Sequence, residues 1–466
     1  MYPTKPLTVS KLTLINITAI ISLSSIAYMA TIGLSSIIFY LIAGCLFLIP
    51  TALVSAELGG MLTADNGGVY TWVKAAFGEK AGVVAIWMEW FNNVISFPAT
   101  LSALVATVAY MGFSELMNNK AALWLLMFII FWLTTLFNFL PIKKVVILNI
   151  IGALFGMILP GLLLLAGALY FIISGKTQLQ FTHINNWLPS LSFATFALFV
   201  KTLSGYSGIQ ATSFHIQNID NPKRNVPRAI LYAIVIIFLL SSISTAALII
   251  ITPSQSINPM NGLIQGISSV LILIGLGKLQ SLIAFLIALG MLAALSTWML
   301  APARAIQEVA HQRLLPKILA KKNKNQMPVN VLLIQGIFGS LLSFVFLFMP
   351  TIQSAFAMLI ALTSQFTVFM WIMVFASAIY LRFKQPNRQR VFRIGKKGNK
   401  ALIFICSLGI LACLCGLILG IFPPGFSHIQ NITAYISIML IADSIIILLP
   451  LIWIYVHKHQ KINPHI

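Results

Sequence analysis

Apolar runs of helical length recur from one end of this chain to the other, and that pattern leaves few folds open. Each run is close to the roughly 20 residues that carry an α-helix across a hydrocarbon core. Their approximate bounds are 12–33, 35–58, 82–112, 121–140, 147–173, 191–215, 229–251, 278–303, 329–349, 353–382, 401–422 and 430–456. A further stretch at 258–276, opening at Asn258-Pro259, is either another span or a shorter helix at the outer surface, and the orientation of everything after it turns on which. Composition points to lipid as the solvent: hydrophobic residues make up 59% of the 466 and charged residues 8%, where a globular protein carries roughly 25%. In hydrocarbon the backbone must satisfy its own N–H and C=O groups, so the expected fold is an all-α membrane protein of about twelve transmembrane helices.

The charges are distributed as topology requires. Lys and Arg gather in short cytoplasmic loops, and with the N-terminus inside, the inner loops collect every Lys and Arg except Lys120, Lys176, Lys201 and Lys278. The expectation is a multi-pass protein of the cell inner (plasma) membrane with both termini cytoplasmic. A formal charge of +21 then reports orientation and no nucleic-acid partner, because it is divided among short loops and forms no single patch. No cleavable signal peptide is expected, since the first apolar run is span-length and lacks a small-residue cleavage site. Cys45, Cys406, Cys413 and Cys415 all fall within spans, where a thiol behaves as a small buried hydrophobe, so no disulfide framework or metal site is expected. No HExxH, P-loop, GxSxG or GxGxxG motif occurs in a suitable context. With eight acidic residues in all, the chain is not expected to be an enzyme or to hold a cofactor. The longest polar stretches are the basic loops 304–328 and 382–400, so any chemistry lies within the membrane.

Carriers place substrate near the midplane, where an interrupted helix frees backbone groups for a charged ligand. In the sixth run, Ser204-Gly205-Tyr206-Ser207-Gly208 weakens the helix by about 1 kcal/mol per glycine relative to alanine. By itself this is either a break or a close helix contact through small residues. The first run has a small, polar counterpart in Ser22-Leu23-Ser24-Ser25-Ile26-Ala27. Paired weak points in runs one and six are what two inverted five-helix repeats require. Lys201 lies about one turn before the glycines, where a charge costs about 2.5–3.5 kcal/mol on insertion scales. Such a lysine has several explanations: a pair with Glu89 or Asp443, a tethered cation that attracts a substrate carboxylate or replaces a coupling ion, or a side chain snorkelling to the interface. Asp443, in the last run, reads as a structural or oligomer-interface residue. Glu57, closing the second run, reads as a structural partner of the basic loops.

Longer motifs carry a family resemblance. Ala56-Glu57-Leu58 is followed by Gly67-Gly68-Val69-Tyr70-Thr71-Trp72 and Phe77-Gly78, and after the sixth run comes Asn221-Pro222-Lys223-Arg224-Asn225-Val226-Pro227-Arg228-Ala229-Ile230. Further on stand Trp298-Met299-Leu300-Ala301-Pro302-Ala303-Arg304, Leu314-Leu315-Pro316 and Lys322-Asn323-Lys324-Asn325. In this order and spacing the chain resembles the amino acid-polyamine-organocation transporters, and most closely their bacterial glutamate:γ-aminobutyrate antiporter branch. The resemblance implies one transmembrane domain over 1–466 with a LeuT-like fold. Repeat one covers about 12–173 and repeat two about 191–382, with two further helices at about 401–456. It implies a pocket between broken helices one and six, closed by helices three, eight and ten. Ser24, Ser25, Ile26, Ala27, Gly205, Tyr206, Ser207 and Gly208 would meet the substrate's carboxylate and amino groups, beside Gln210. Trp298 and Trp371 would be aromatic walls or gates, or else packing and interfacial-belt residues. Glu89 and Lys201 are the candidates for coupling or charge relay.

Departures from the branch bear on the substrate. Gln210 and Ala294 stand where the antiporters have acidic residues, so γ-aminobutyrate is expected to be a poor substrate. The stretch after the last run is short, so gating by a long C-terminal plug is not expected, and His457, His459 and His465 read as a solvated end. The function so implied is secondary active transport of an amino acid or related small amine by alternating access. The chain would be a permease or an exchanger, with exchange preferred and with proton or counter-substrate coupling. The alternative is a transporter-derived solute sensor or a channel without active coupling. A channel should show rings of polar pore-lining residues and a sensor a soluble output domain, and the sequence has neither. Beyond its substrate and the membrane lipids no partner is implied, and the oligomeric state stays open.

Overall fold

The computed structural model of the chain describes all residues except 1–7, 21–22, 63–67, 178–186, 190–191, 211–220, 396–397, 428, 430 and 461–466. Regular structure among the described residues is entirely helical. The first two helices are short, α1 Val9–Ile20 and α2 Leu23–Ala30. Then follow α3 Ser35–Met61, α4 Val69–Phe77, α5 Glu79–Met111, α6 Lys120–Phe137 and α7 Ile142–Ile173. The second half holds α8 Phe193–Gly205, α9 Pro222–Ile251, α10 Gly262–Leu273 and α11 Gln280–His311. It continues with α12 Val329–Phe348, α13 Ile352–Lys384, α14 Lys400–Leu419 and α15 Ile432–Gln460. Among the described residues, 10 helices are long and apolar enough to cross a membrane.

The differences from the expected spans are concentrated in three places. The first run is described as two helices on either side of 21–22, and Ser22 lies outside the described residues. Among the described residues of the sixth run, expected over 191–215, the α-helix covers Phe193–Gly205 and gives way to a turn at Tyr206 to Gly208, where the glycine-serine run stops it. The stretch 258–276 forms a helix of 12 residues, about 18 Å long at 1.5 Å per residue, roughly half of what a crossing needs. Gly67 of the glycine-tyrosine-tryptophan motif lies outside the described residues, as do His465 and the side chains of His457 and His459.

Burial separates the axis of the bundle from its lipid face. Within their most apolar windows α13 is 78% and α5 72% buried, against 22% for α7 and 17% for α15. The two central helices pack on each other, and α5 also packs on α11. On α7, Ile147, Ile150, Leu154, Ile158 and Leu162 are exposed at intervals of three or four, an apolar stripe that would aggregate in water and that suits acyl chains. Hydroxyls on the buried helices are satisfied locally: Thr100 donates to the carbonyl of Ser96 at 3.0 Å, Thr107 to that of Ala103 at 2.9 Å and Thr367 to that of Thr363 at 3.1 Å. Each removes a polar group that lipid could not solvate.

Helices α7 and α11 touch at their backbones. A Cβ built on Gly156 would lie 2.2 Å from the Cα of Gly290, and one built on Gly290 would lie 2.5 Å from the Cα of Gly156. Small residues permit this approach in a membrane, where contact area replaces the hydrophobic drive. Gly290→Val is therefore expected to cost about 1–3 kcal/mol by overpacking and to lower the melting temperature of the purified protein in detergent. Gly161→Val on α7, where a Cβ meets nothing within 4 Å, should leave it unchanged.

One end of the bundle is clasped by a buried ionic node. Glu57 of α3 and Arg382 of α13 are 2% and 1% exposed, and the guanidinium engages both carboxylate oxygens. The backbone N–H of Ile394 donates to the same carboxylate at 2.8 Å, and Arg390 Nε approaches it at 3.1 Å. Arg382 also donates to the carbonyls of Ile394 and Gly398. Glu57 thus partners the basic segment after α13, as its sequence position suggested.

Candidate functional site

The two weak stretches singled out in runs one and six meet. Helix α8 ends at Gly205, where a Cβ would lie 3.9 Å from Ser25 Oγ of α2. Tyr206 to Gly208 form a turn, and Gly208 has φ +130°, backbone that favours glycine. The turn closes the helix end: the N–H of Tyr206 donates to the carbonyls of Thr202 and Leu203, and that of Ser207 to the carbonyl of Ser204, as a tightened last turn does. A hollow of about 320 Å³ opens beside this junction, lined by Ser25 and Ala27 of α2, by Lys201, Ser204, Gly205 and Ser207 at the end of α8, by Glu89 from α5 and by Trp298 from α11.

Two more hollows flank it, and their order follows from the long helices. A vestibule of about 1090 Å³ is lined on α5 by Ile86 and Glu89, and on α11 by Trp298, Ala301, Ala305 and Glu308. The central hollow then takes Asn92, Ser96 and Thr100 of α5 and Gly290 and Ile287 of α11. The third, of about 630 Å³, begins at Ala109 and Tyr110 and reaches Gln280. Positions thus advance along α5 as they retreat along α11, which strings the three hollows along the bundle axis. Glu89, Gln210, Gly290, Ala294 and Trp298 line both the vestibule and the central hollow. Asn261 lines both the central and the third hollow.

These boundary residues are held by specific bonds. Gln210 Nε2 donates to Glu89 Oε1 at 3.3 Å, and Gln210 Oε1 accepts from the backbone N–H of Gly208 at 2.9 Å. The amide therefore ties the carboxylate of α5 to the turn after α8. Asn261 donates to the carbonyl of Ala106 at 3.2 Å, while its Oδ1 is buried without a hydrogen-bond partner. In the vestibule, the Tyr70 hydroxyl donates to Gln312 Oε1 at 3.1 Å. Burial raises the Tyr70 phenol above its ordinary value, with Lys74 pulling the other way, so it stays a neutral donor at physiological pH.

Not every residue expected at the site lines the central hollow. Trp371 is fully buried and forms no wall of it. Its Nε1 donates to Ser207 Oγ at 3.0 Å and its ring packs against Phe47 and Phe375, so it supports the turn from behind. Tyr206 is buried, its ring centroid 6.1 Å from that of Tyr40. Ile26 packs into a separate apolar cluster with α9 and α10 residues. Gly208 borders the vestibule, and the side chain of Ser24 lies outside the described residues. Lys201 makes no ion pair with Glu89 or with Asp443 among the described residues, and Asp443 lies away from all three hollows. Asn92, Asn93 and Asn261 were passed over in the sequence, although Asn92-Asn93 is a polar pair inside an apolar run and was there to be seen.

Comparison with known proteins follows the same line. The family model described as amino acid permease matches residues 7–442. An uncharacterised transporter of Legionella pneumophila is 31% identical over 98% of this chain and 98% of its own. The glutamate/gamma-aminobutyrate antiporter of Lactococcus lactis is 27% identical over 92% of this chain and 86% of its own. A protein of the same species named "Probable agmatine/putrescine antiporter" is 23% identical over 85% and 84%. With hollows strung along the axis of a helical bundle and a family match over nearly its whole length, the chain belongs to the amino acid permease family.

Proposed function

We propose that this chain is a secondary carrier that exchanges an amino acid or related small amine across the cell inner membrane by alternating access. The observation that carries the proposal is the central hollow where the end of α8 meets α2, with a further hollow on each side of it. In lipid, backbone that leaves the helix at depth is tolerated where it is buried in protein or lines a cavity, and carriers use such a cavity to take a polar ligand. Ser25, Gly205, Ser207 and Gln210 border that hollow and are proposed as substrate contacts, with Trp298 as the aromatic face between hollow and vestibule. Two inverted repeats over about 12–173 and 191–382 account for the paired weak points in runs one and six. The concentration of Lys and Arg in alternate loops supports cytoplasmic termini, which would make the large vestibule the inner one. Exchange is favoured because relatives carry antiporter names.

The test is counterflow in liposomes reconstituted with the purified protein. Labelled substrate should enter saturably and faster when unlabelled amino acid is trapped inside, whereas a channel would show neither behaviour. A competition panel of neutral, acidic and basic amino acids then ranks the ligands. Because Gln210 and Ala294 border the hollow where the resembling antiporters have acids, γ-aminobutyrate is expected to compete at least about tenfold more weakly than the best neutral α-amino acid, a difference of about 1.4 kcal/mol.

A further inference from the structure

The central hollow contains one side chain of each sign, and they do not neutralise each other. Glu89 comes from α5 and Lys201 from α8, four residues before the helix stops. No other charged residue lines the hollow among the described residues. The ion pairs found among those residues are Lys74–Glu79, Arg382–Glu57 and Arg390–Glu57, so both charges of the hollow are left without a counter-ion. One oxygen of Glu89 is held by Gln210, which fixes the carboxylate at the mouth of the hollow. Each of these charges is costly at membrane depth. A pair serving stability alone would close into contact, as Glu57 and Arg382 do at the end of the bundle.

We propose that Glu89 and Lys201 set the charge selectivity of the carrier. Glu89 receives the ammonium group of the substrate and Lys201 its carboxylate, and the hollow accepts ligands that are net neutral zwitterions. This rests on the carrier function proposed above and adds the substrate class. A ligand with one extra carboxylate or one extra cationic group brings a charge for which the hollow holds no partner, and an unpaired charge in a low-dielectric site is rejected strongly. The relatives named for glutamate and for agmatine or putrescine would differ from this chain in that balance.

The experiment uses the full chain in liposomes loaded with serine, with uptake of labelled serine competed by leucine, glutamate or agmatine. Leucine should compete at least about tenfold better than glutamate or agmatine in the native protein. Glu89→Gln leaves the hollow with a surplus positive charge, and glutamate should gain about tenfold relative to leucine. Lys201→Met leaves a surplus negative charge, and agmatine should gain about tenfold relative to leucine. Opposite shifts support the proposal, whereas a uniform loss of uptake with the native ranking kept makes both residues structural and overturns it. A native protein that prefers glutamate or agmatine overturns it as well. Should either variant fail to insert, quenching of tryptophan fluorescence in the native protein decides, since Trp298 borders the hollow. Leucine must then bind at least about tenfold tighter than glutamate and agmatine, and equal binding overturns the proposal. Absence of counterflow with serine and with every amino acid of the panel above would overturn the carrier function itself, while counterflow with unshifted ranking overturns only the charge assignment.

Discussion

Arg382→Ala is expected to destabilise the protein by about 3–5 kcal/mol, the usual consequence of stranding one member of a buried ion pair. Glu57 would keep the N–H of Ile394 and the nearby Arg390 as partners, which places the loss toward the lower end of that range. The measurement is a thermal melt of purified protein in detergent, with Arg388→Ala as control, because Arg388 is exposed and exposed charges contribute about 0–1 kcal/mol. Removing both charges at once with Glu57→Gln and Arg382→Met should cost less than the two single changes added together, since neither then leaves a bare charge. A melting temperature for Arg382→Ala equal to that of the native protein would mean that the node carries no stability.

Gly208→Leu should abolish uptake while the protein still inserts. At φ +130° a leucine side chain is strained by about 1–3 kcal/mol, and the turn must move to relieve it. Any such movement displaces the N–H that Gln210 accepts and, through Gln210, the position of Glu89. Counterflow measured beside the amount of protein in the membrane separates loss of transport from loss of insertion. Normal uptake at normal abundance would deprive the interrupted helix of any role in transport.

Much of the architecture was legible in the sequence because lipid imposes a simple rule: a run of about 20 apolar residues must be helix. That rule locates α3, α5, α6 and α13 to within a few residues. It falls short for α8, where the glycines and serines of 204–208 carried the better information, and it left 258–276 open between a span and the shorter helix that α10 is. The candidate site was legible to the extent that it depends on local backbone weakness, which singled out Ser25, Gly205 and Ser207, and all three line the central hollow. It was not legible where long-range packing decides. Trp371 is chemically suited to a cavity wall, yet the neighbouring Phe47 and Phe375 enclose it, and a sequence carries no record of which face of α13 turns inward. Asn261 was missed for a similar reason, since its place between two hollows arises from the docking of α10 against α2 and α9. The contact between Gly156 and Gly290 joins residues far apart in the chain, and only the meeting of two helices gives either glycine its significance.

The node at Glu57 has a mechanical consequence. It fastens the end of α3 to the end of α13 and stitches the following segment over both, and Val391 reinforces the seam by donating its N–H to the carbonyl of Gly60. The same α13 carries Trp371, which holds Ser207 at mid-depth. Helices α3 and α13 are therefore welded at one end and cannot slide past each other, so a conformational cycle must move them as one body. The movement then falls to helices outside that weld, and the turn of Tyr206 to Gly208 at the end of α8 is one place where the backbone already leaves the helix.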